Sequence, residues 1–303
     1  MWDQLLTGII QGNSKSLARA ISLVENEVPG FEHFLQQLPA GHTPVTGITG
    51  PPGAGKSTLV DAMIATWVAA GKRVAVLCVD PSSPFNLGAL LGDRIRMNEW
   101  YNNPNVFIRS LATRGSLGGL HPHIIEITAI LQVAGFDHII VETVGVGQSE
   151  IEIAGLADVT VVVVVPEAGD EVQTMKAGLM EIADIFVVNK SDRPDADTFV
   201  KNLRMMLAPA FNTDQKISVV KTVASARKGV DELCKLIDEH VQLAGISDRK
   251  HWLMTERVYQ LIQKTKMKGF DKAAIKKAIA AASAHPGFNL FTFAQQYLNE
   301  SEQ

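Results

Sequence analysis

Cysteine is scarce in this chain, with only Cys78 and Cys234 among 303 residues. Two cysteines so far apart cannot form a disulfide framework, which excludes a small disulfide-stabilised secreted fold. Cys78 stands in an apolar, strand-like run and Cys234 in a helix-like run. We therefore expect both side chains to pack in the core.

Long apolar runs and an excess of basic charge are also lacking. The longest unbroken aliphatic stretch, 161–165, is far too short to span a bilayer, and no basic leader precedes the apolar residues at the N-terminus. The formal net charge is −4, and no polybasic run stands out that could bind a nucleic-acid backbone or anionic lipid. These absences predict a cytoplasmic protein with no nucleic-acid or membrane partner.

What the sequence does contain is the composition of a globular protein, with 46% apolar and 20% charged residues. Its length suits one large domain with terminal additions, or two smaller domains. We favour the former, with an N-terminal helical extension over 1–40, a nucleotide-binding domain over 41–244 and a C-terminal helical extension over 245–303.

The order of the elements predicts an α/β fold. Apolar residues recur at helical spacing in the first forty positions, and Asn13 is the expected cap of the second helical segment. From Pro44, β-branched runs alternate with helical patterns, which is typical of a doubly wound, mostly parallel sheet of the P-loop NTPase type. After Gly229 we expect helices around Leu233, Val258, Ala274 and Phe293. The predicted strands are 45–49, 73–79, 106–109, 138–142, 159–165, 185–188 and 217–222.

A phosphate-binding loop is the strongest motif. Residues 50–57, GPPGAGKS, fit the pattern GxxxxGK[ST] between a predicted strand and a predicted helix. Glycines let successive backbone N–H groups point at phosphates, and the helix adds its positive end. Lys56 would reach the β and γ phosphates, and the Ser57 hydroxyl would bind Mg²⁺. The expected phosphate-binding residues are Gly50, Gly53, Ala54, Gly55, Lys56, Ser57 and Thr58.

A second motif selects the base. Residues 189–192, NKSD, follow a predicted strand and resemble the NKxD box of GTPases, in which the aspartate accepts hydrogen bonds from guanine N1–H and the 2-amino group. Adenine lacks this pair of donors, and a polar site built for donors rejects a ligand without them. We therefore expect Asn189, Lys190 and Asp192 to bind guanine, with Ala224, in the segment 222–225, in the loop over the base.

Two acidic residues end predicted strands, Asp80 after the second and Glu142 after the fourth. Both fall at the carboxyl edge, where open α/β sheets bind ligands. Small GTPases have DxxG at the second position, whereas this chain has ETVG over 142–145. With a glutamate at this position and an aspartate after the second strand, the chain resembles the class that includes signal-recognition GTPases and metal-insertion chaperones.

Longer motifs narrow the resemblance. The segments DPSS (80–83), GDRIRM (92–97), RSLATRG (109–115), LGGL (117–120) and ETVGVGQSE (142–150) are similar to the MeaB/ArgK family of G-proteins. These accompany adenosylcobalamin-dependent acyl-CoA mutases, above all methylmalonyl-CoA mutase. The resemblance runs from about residue 17 to about residue 233.

The resemblance implies roles for individual residues. Lys56, Ser57, Asp80, Asp93 and Glu142 match the phosphate and Mg²⁺ set, with Ser57 as direct metal ligand and the carboxylates holding metal-bound or attacking water. Gly145 and Gln148 would report the γ-phosphate to a switch loop, and Gln148 is a candidate for aligning water. Arg96 and Arg114 are candidates for stabilising transition-state charge. The loop 166–176 would couple the nucleotide state to the client.

Two segments depart from the family, 85–90 and the aromatic tail around Phe288, Phe291 and Phe293, so the client and a homodimer both stay open. For these aromatic residues, packing within a short helix is expected rather than a partner surface. The preferred function is a GTP-hydrolysing chaperone of a cobalamin-dependent mutase. The alternatives are a stand-alone P-loop kinase or transport-linked ATPase, which would not need the guanine box, and a metal-insertion GTPase, for which soft-metal ligands are missing.

Overall fold

A parallel sheet of seven strands is the centre of the fold. The computed structural model describes residues 1–80, 97–113, 120–143, 149–167, 179–207, 217–243, 248–285 and 287–299. Neighbouring strands all pair in parallel, in the order β3-β2-β4-β1-β5-β6-β7. The strands are β1 (Val45–Thr49), β2 (Val74–Asp80), β3 (Val106–Ala112), β4 (His138–Glu142), β5 (Val159–Val164), β6 (Ile185–Val188) and β7 (Ser218–Lys221).

All seven predicted strands are confirmed, and three have the predicted bounds. β3 extends beyond its predicted end at Arg109, because its ladder with β2 continues to the pair Asp80 and Ala112. The alternation of apolar and polar residues stops earlier than the backbone hydrogen bonds do. The α/β class and the doubly wound parallel sheet are therefore correct.

Helices cover both faces of the sheet. The helices of this part are α1 (Trp2–Ile10), α2 (Ser14–Glu25), α3 (Phe31–Gln36), α4 (Lys56–Ala69), α5 (Ile124–Gln132), α6 (Ser149–Leu156), α7 (Leu179–Ile182), α8 (Ala196–Leu207) and α9 (Val230–Leu243). One hydrophobic cluster joins α4 and α9 to the sheet. A second joins α1–α3, α5 and α6 to the opposite face, and a third joins α7 and α8 to β5 and β6.

The N-terminal helices pack directly against the sheet. The Asn13 side chain caps α2 by accepting a hydrogen bond from Ser16 N at 2.9 Å, as predicted. Leu17, Ile21 and Val24 on one face of α2 are buried in the same cluster as Leu77 of β2. This spacing places three apolar side chains on one stripe of the helix.

Residues 246–303 form a second compact unit, separate from Met1–Gly245. It contains α10 (Asp248–Lys266), α11 (Lys272–Ala282) and α12 (Leu290–Asn299), as the helical pattern predicted. The rings of Phe288 and Phe293 lie 5.8 Å apart, but Phe291 is 80% exposed. Packing was therefore the wrong expectation for Phe291, because it lies on the outer face of α12.

The two cysteines and the short apolar runs of the sequence can now be placed in the fold. Cys78 and Cys234 are both buried, as expected, and burial together with nearby Asp238 and Asp231 raises the pKa of the Cys234 thiol. Within the described ranges, every helix is too short or too polar to cross a bilayer.

A histidine is buried at the amino edge of the sheet. The His138 ring, at the start of β4, stacks on Trp67 of α4 with centroids 4.0 Å apart and an interplanar angle of 8°. Burial lowers the pKa of His138, although Asp238 (Nε2 to Oδ1, 3.8 Å) and Asp137 oppose the shift. The folded chain therefore favours the neutral ring.

We predict that acid destabilises the chain through His138. As pH falls through about 6.5, the ordinary histidine pKa, the unfolded chain takes up a proton that the folded chain resists, so stability is lost. The measurement is urea unfolding between pH 7.5 and 5.5, with His138→Phe as the matched variant that keeps a stacking ring. Asp137 is present in both chains; burial raises the pKa of its carboxyl, but the Arg73 backbone hydrogen bond and the Lys72 charge outweigh burial, so that pKa stays below its ordinary value. Equal slopes of unfolding free energy against pH would contradict the prediction.

Candidate active site

The carboxyl ends of the central strands bring the two nucleotide motifs to one edge. β1 lies between β4 and β5, and the phosphate loop (50–55) leaves β1 toward α4. Asn189 follows β6, two strands away, and Thr222 follows β7. Segments that are far apart in sequence therefore meet here, at the position where open α/β sheets bind ligands.

The phosphate loop requires glycine at two close approaches. Gly50 has φ +135°, and a Cβ there would lie 2.1 Å from the carbonyl oxygen of Val163 in β5. Gly55, with φ +89°, precedes the first turn of α4, and its Cβ would lie 2.5 Å from Nδ2 of Asn189. Any other residue would push the loop away from β5 or from Asn189.

Lys56 and Ser57 begin α4 and are both 7% exposed. The Lys56 ammonium donates to the carbonyls of Gly50 at 2.9 Å and Pro51 at 3.2 Å, so it lies across the mouth of the loop. Thr58, the next residue, is exposed. A lysine held against the inner side of a phosphate loop supplies positive charge where a phosphate would lie.

A hydroxyl–carboxylate pair lies beside the loop. Ser57 Oγ donates to Glu142 Oε1 at 2.7 Å, and Glu142 is 3% exposed. The hydroxyls of Thr49 and Thr143 are 3.0 Å apart at the ends of β1 and β4. Asp80, at the end of β2, is 5% exposed. Sequence reasoning missed the threonine pair, because Thr49 belongs to no motif and nothing in the ETVG segment names it as the partner of Thr143.

Asn189 connects three segments. Its Nδ2 donates to Ala54 O at 2.9 Å, and its Oδ1 accepts from Thr222 Oγ1 and from Ala224 N, each at 3.1 Å. The side chain thus ties the phosphate loop to the end of β7 and to the 3₁₀ turn Ala224–Ala226 that follows it. Because the residue is only 2% exposed, these bonds are shielded from water.

The rest of the predicted guanine motif surrounds Asn189. Lys190 Nζ donates to Gly53 O at 2.8 Å, and Asp192 is exposed. Ala224 is buried and contributes its backbone N–H. The structure therefore brings the phosphate loop, Asn189, Lys190 and Ala224 together, and it leaves the Asp192 carboxylate on the surface.

Several predicted residues lie outside the described ranges. These are Asp93, Gln148, Gly145, Arg96, Arg114 and most of the loop 166–176. Of that loop, Glu167 is described, and it forms an ion pair with Arg193. The hydrogen bond from Arg193 lowers the pKa of the exposed Glu167 carboxyl.

Known proteins match both the sequence and the fold. The sequence model of the family described as "Methylmalonyl Co-A mutase-associated GTPase MeaB" matches residues 17–278. The chain belongs to the MeaB family. It is a P-loop GTPase that binds GTP and GDP, and the resemblance inferred from its motifs is confirmed.

Relatives of this MeaB-family chain are similar over most of their length. A predicted GTPase of Pyrococcus abyssi is 44% identical over 285 residues, which are 92% of this chain and 88% of that protein. The GTPase ArgK of Escherichia coli is 36% identical over 266 residues, 84% and 80% of the two chains. The crystal structure of a LAO/AO transport system kinase superposes with a TM-score of 0.67 at 26% identity, covering 100% of this chain and 98% of that one.

We predict that Asn189 is needed both for stability and for nucleotide affinity. Asn189→Ala leaves buried partners of three hydrogen bonds unsatisfied, so we expect a loss of about 2 kcal/mol or more in unfolding free energy and weaker GDP binding. Asn189→Asp is the matched variant, because it keeps the acceptor for Thr222 and Ala224 but sets an oxygen against Ala54 O. Thermal melting and labelled-GDP titration measure both effects. Unchanged values in Asn189→Ala would show that the connection is dispensable.

Proposed function

We propose that this GTPase is a chaperone that regulates cofactor loading or protection of an adenosylcobalamin-dependent acyl-CoA mutase. The observation that carries the proposal is the match of residues 17–278 to a family described by its association with methylmalonyl-CoA mutase. GTP and GDP would favour different states of the switch loops, and the client would bind those states differently. The energy of hydrolysis then serves regulation.

Magnesium fits the residues beside the phosphate loop. The Ser57 hydroxyl and the Glu142 carboxylate are buried oxygen ligands 2.7 Å apart, and the Asp80 carboxylate is buried at the same sheet edge. Mg²⁺ prefers such oxygens and usually keeps several waters and phosphate oxygens as its other ligands. A protein cage of three or more acidic, histidine or cysteine side chains is therefore not required, and the described residues contain none.

The proposed roles follow from position. Lys56 neutralises charge on the β and γ phosphates, Ser57 binds the metal ion directly, and Asp80 and Glu142 orient water in its shell. Bound Mg²⁺ would neutralise charge that develops on the phosphates. Asp93 and Gln148 complete the proposed set through the family resemblance, Asp93 as a further carboxylate and Gln148 as the residue that aligns water.

We divide the chain into an N-terminal extension (1–40), a nucleotide domain (41–244) and a C-terminal extension (245–303), and we propose partner contact for the last of these. On α10, Met254, Val258, Leu261 and Ile262 are each about half exposed, between 47% and 55%. Their spacing places them on one face of the helix. Such a face suits the mutase or a second copy of this chain, so a homodimer belongs to the proposal.

We predict that Asp192→Asn exchanges guanine for xanthine. The aspartate would accept from N1–H and the 2-amino group of guanine, whereas an asparagine amide donates to the 2-carbonyl of xanthine and accepts from its N1–H. GTP affinity should fall at least about a hundredfold, and that for xanthosine triphosphate should rise. Lys56→Ala should instead weaken both nucleotides by about a hundredfold. Equal GTP binding by the wild-type chain and both variants would overturn the site assignment.

Client binding is tested with purified mutase and immobilised chain, in GDP and in a non-hydrolysable GTP analogue. We expect an adenosylcobalamin-dependent methylmalonyl-CoA mutase to be retained, with affinities for the two states that differ about tenfold or more, since a switch needs differential binding. Lys56→Ala is the control, because it should lose the difference between the states. GTP hydrolysis without any retention of mutase would leave a GTPase with a different client.

A further inference from the structure

A mostly buried polar network, with one Arg–Glu ion pair, links the N-terminal helices to the sheet away from the phosphate loop. Glu25, the last residue of α2, accepts a hydrogen bond from Nη2 of Arg109 in β3, which also donates to Ser22 Oγ at 3.1 Å. The other carboxylate oxygen of Glu25 lies 3.8 Å from Nε2 of His121. The Glu25 and His121 side chains are 10% and 0% exposed.

The Glu25 carboxylate thus lies close to two residues, one before and one after residues 114–119 in the sequence. Arg109 lies in β3, before residues 114–119, and His121 lies after them, just ahead of α5. His123 N donates to Nδ1 of His121 at 3.0 Å, so the start of α5 is held by the same network. α2 itself is fixed to the sheet by its apolar face. Glu25 therefore lies between β3 and the residues that lead into α5, hydrogen-bonded to Arg109 and 3.8 Å from His121.

The carboxyl end of β3 also contacts the candidate metal site. Thr113, directly after β3, donates its N–H to the carbonyl oxygen of Asp80 at 3.0 Å. Ala112 and Asp80 are partners in the ladder between β2 and β3. A shift of β3 along its axis would therefore move the backbone that carries Asp80.

An ion pair is a poor way to add stability at this place. Removing an arginine and a carboxylate from water costs several kcal/mol per ion, and an apolar pair would fill the same volume at no electrostatic cost. What the pair adds is a fixed orientation of the Arg109 side chain, because one guanidinium nitrogen must donate to both Ser22 and Glu25. Leu17, Ile21 and Val24 make no such demand on the register of β3.

We propose that Glu25 is a positioning residue for GTP hydrolysis, which acts through Arg109 and the end of β3 on Asp80. The inference rests on the proposed role of Asp80. It assigns the N-terminal extension a part in the reaction, since the carboxylate that orients the catalytic edge comes from α2.

The test uses the full chain with Glu25→Gln, Arg109→Lys and Asp80→Asn. Asp3→Asn is the control, since Asp3 is an exposed carboxylate of the same helical layer. Phosphate release at saturating Mg²⁺ gives kcat and KM, labelled GDP gives affinity, and melting gives stability. We expect Glu25→Gln and Arg109→Lys to lower kcat about tenfold through misplacement of the reacting groups. KM and GDP affinity should stay within about twofold.

The outcomes separate a positioning role from a structural one. A purely structural network would lower the melting temperature and leave kcat of the folded chain unchanged. If Glu25→Gln does not fold, Arg109→Lys decides, because it keeps the charge and loses the shared contact. If folded Glu25→Gln and Arg109→Lys have the wild-type kcat while Asp80→Asn is impaired, this inference is wrong and the role of Asp80 stands. Wild-type kcat in Asp80→Asn overturns the role of Asp80 and this inference with it.

Discussion

The contact between the phosphate loop and Asn189 is the constraint on which the site depends. The loop can approach β5 and Asn189 only because Gly50 and Gly55 carry no Cβ. Asn189 then holds the carbonyl of Ala54 on one side and the turn at Ala224 on the other. The elements proposed to bind phosphate and base are thereby joined through Asn189, whose hydrogen bonds are buried and shielded from water.

Local patterns predicted the strands because a strand between two helical layers must be apolar on both faces. The β-branched run of β5 and the strand before Asn189 carry that signal within a few residues. The motifs of the proposed site stand out for a similar reason, since GPPGAGKS and NKSD are each continuous in sequence.

Contacts between distant residues were not predictable in this way. Nothing near Asn189 in the sequence names Ala54 as its partner, 135 residues away, and nothing near Arg109 names Glu25. The last residues of β3 were missed because their pairing with β2 is a property of the sheet. The exposure of Phe291 was missed because an aromatic side chain has the same sequence signal whether it faces a core or water.

The stack of Trp67 on His138 has a mechanical consequence. Ser57 and Trp67 lie about 15 Å apart along α4, and Glu142 and His138 lie about 13 Å apart along β4. Each end of the helix is thus pinned to the matching end of the strand, by Ser57 and Glu142 at one edge and by the two rings at the other. Helix and strand are therefore fixed to each other at both ends, which resists sliding or tilting of one against the other.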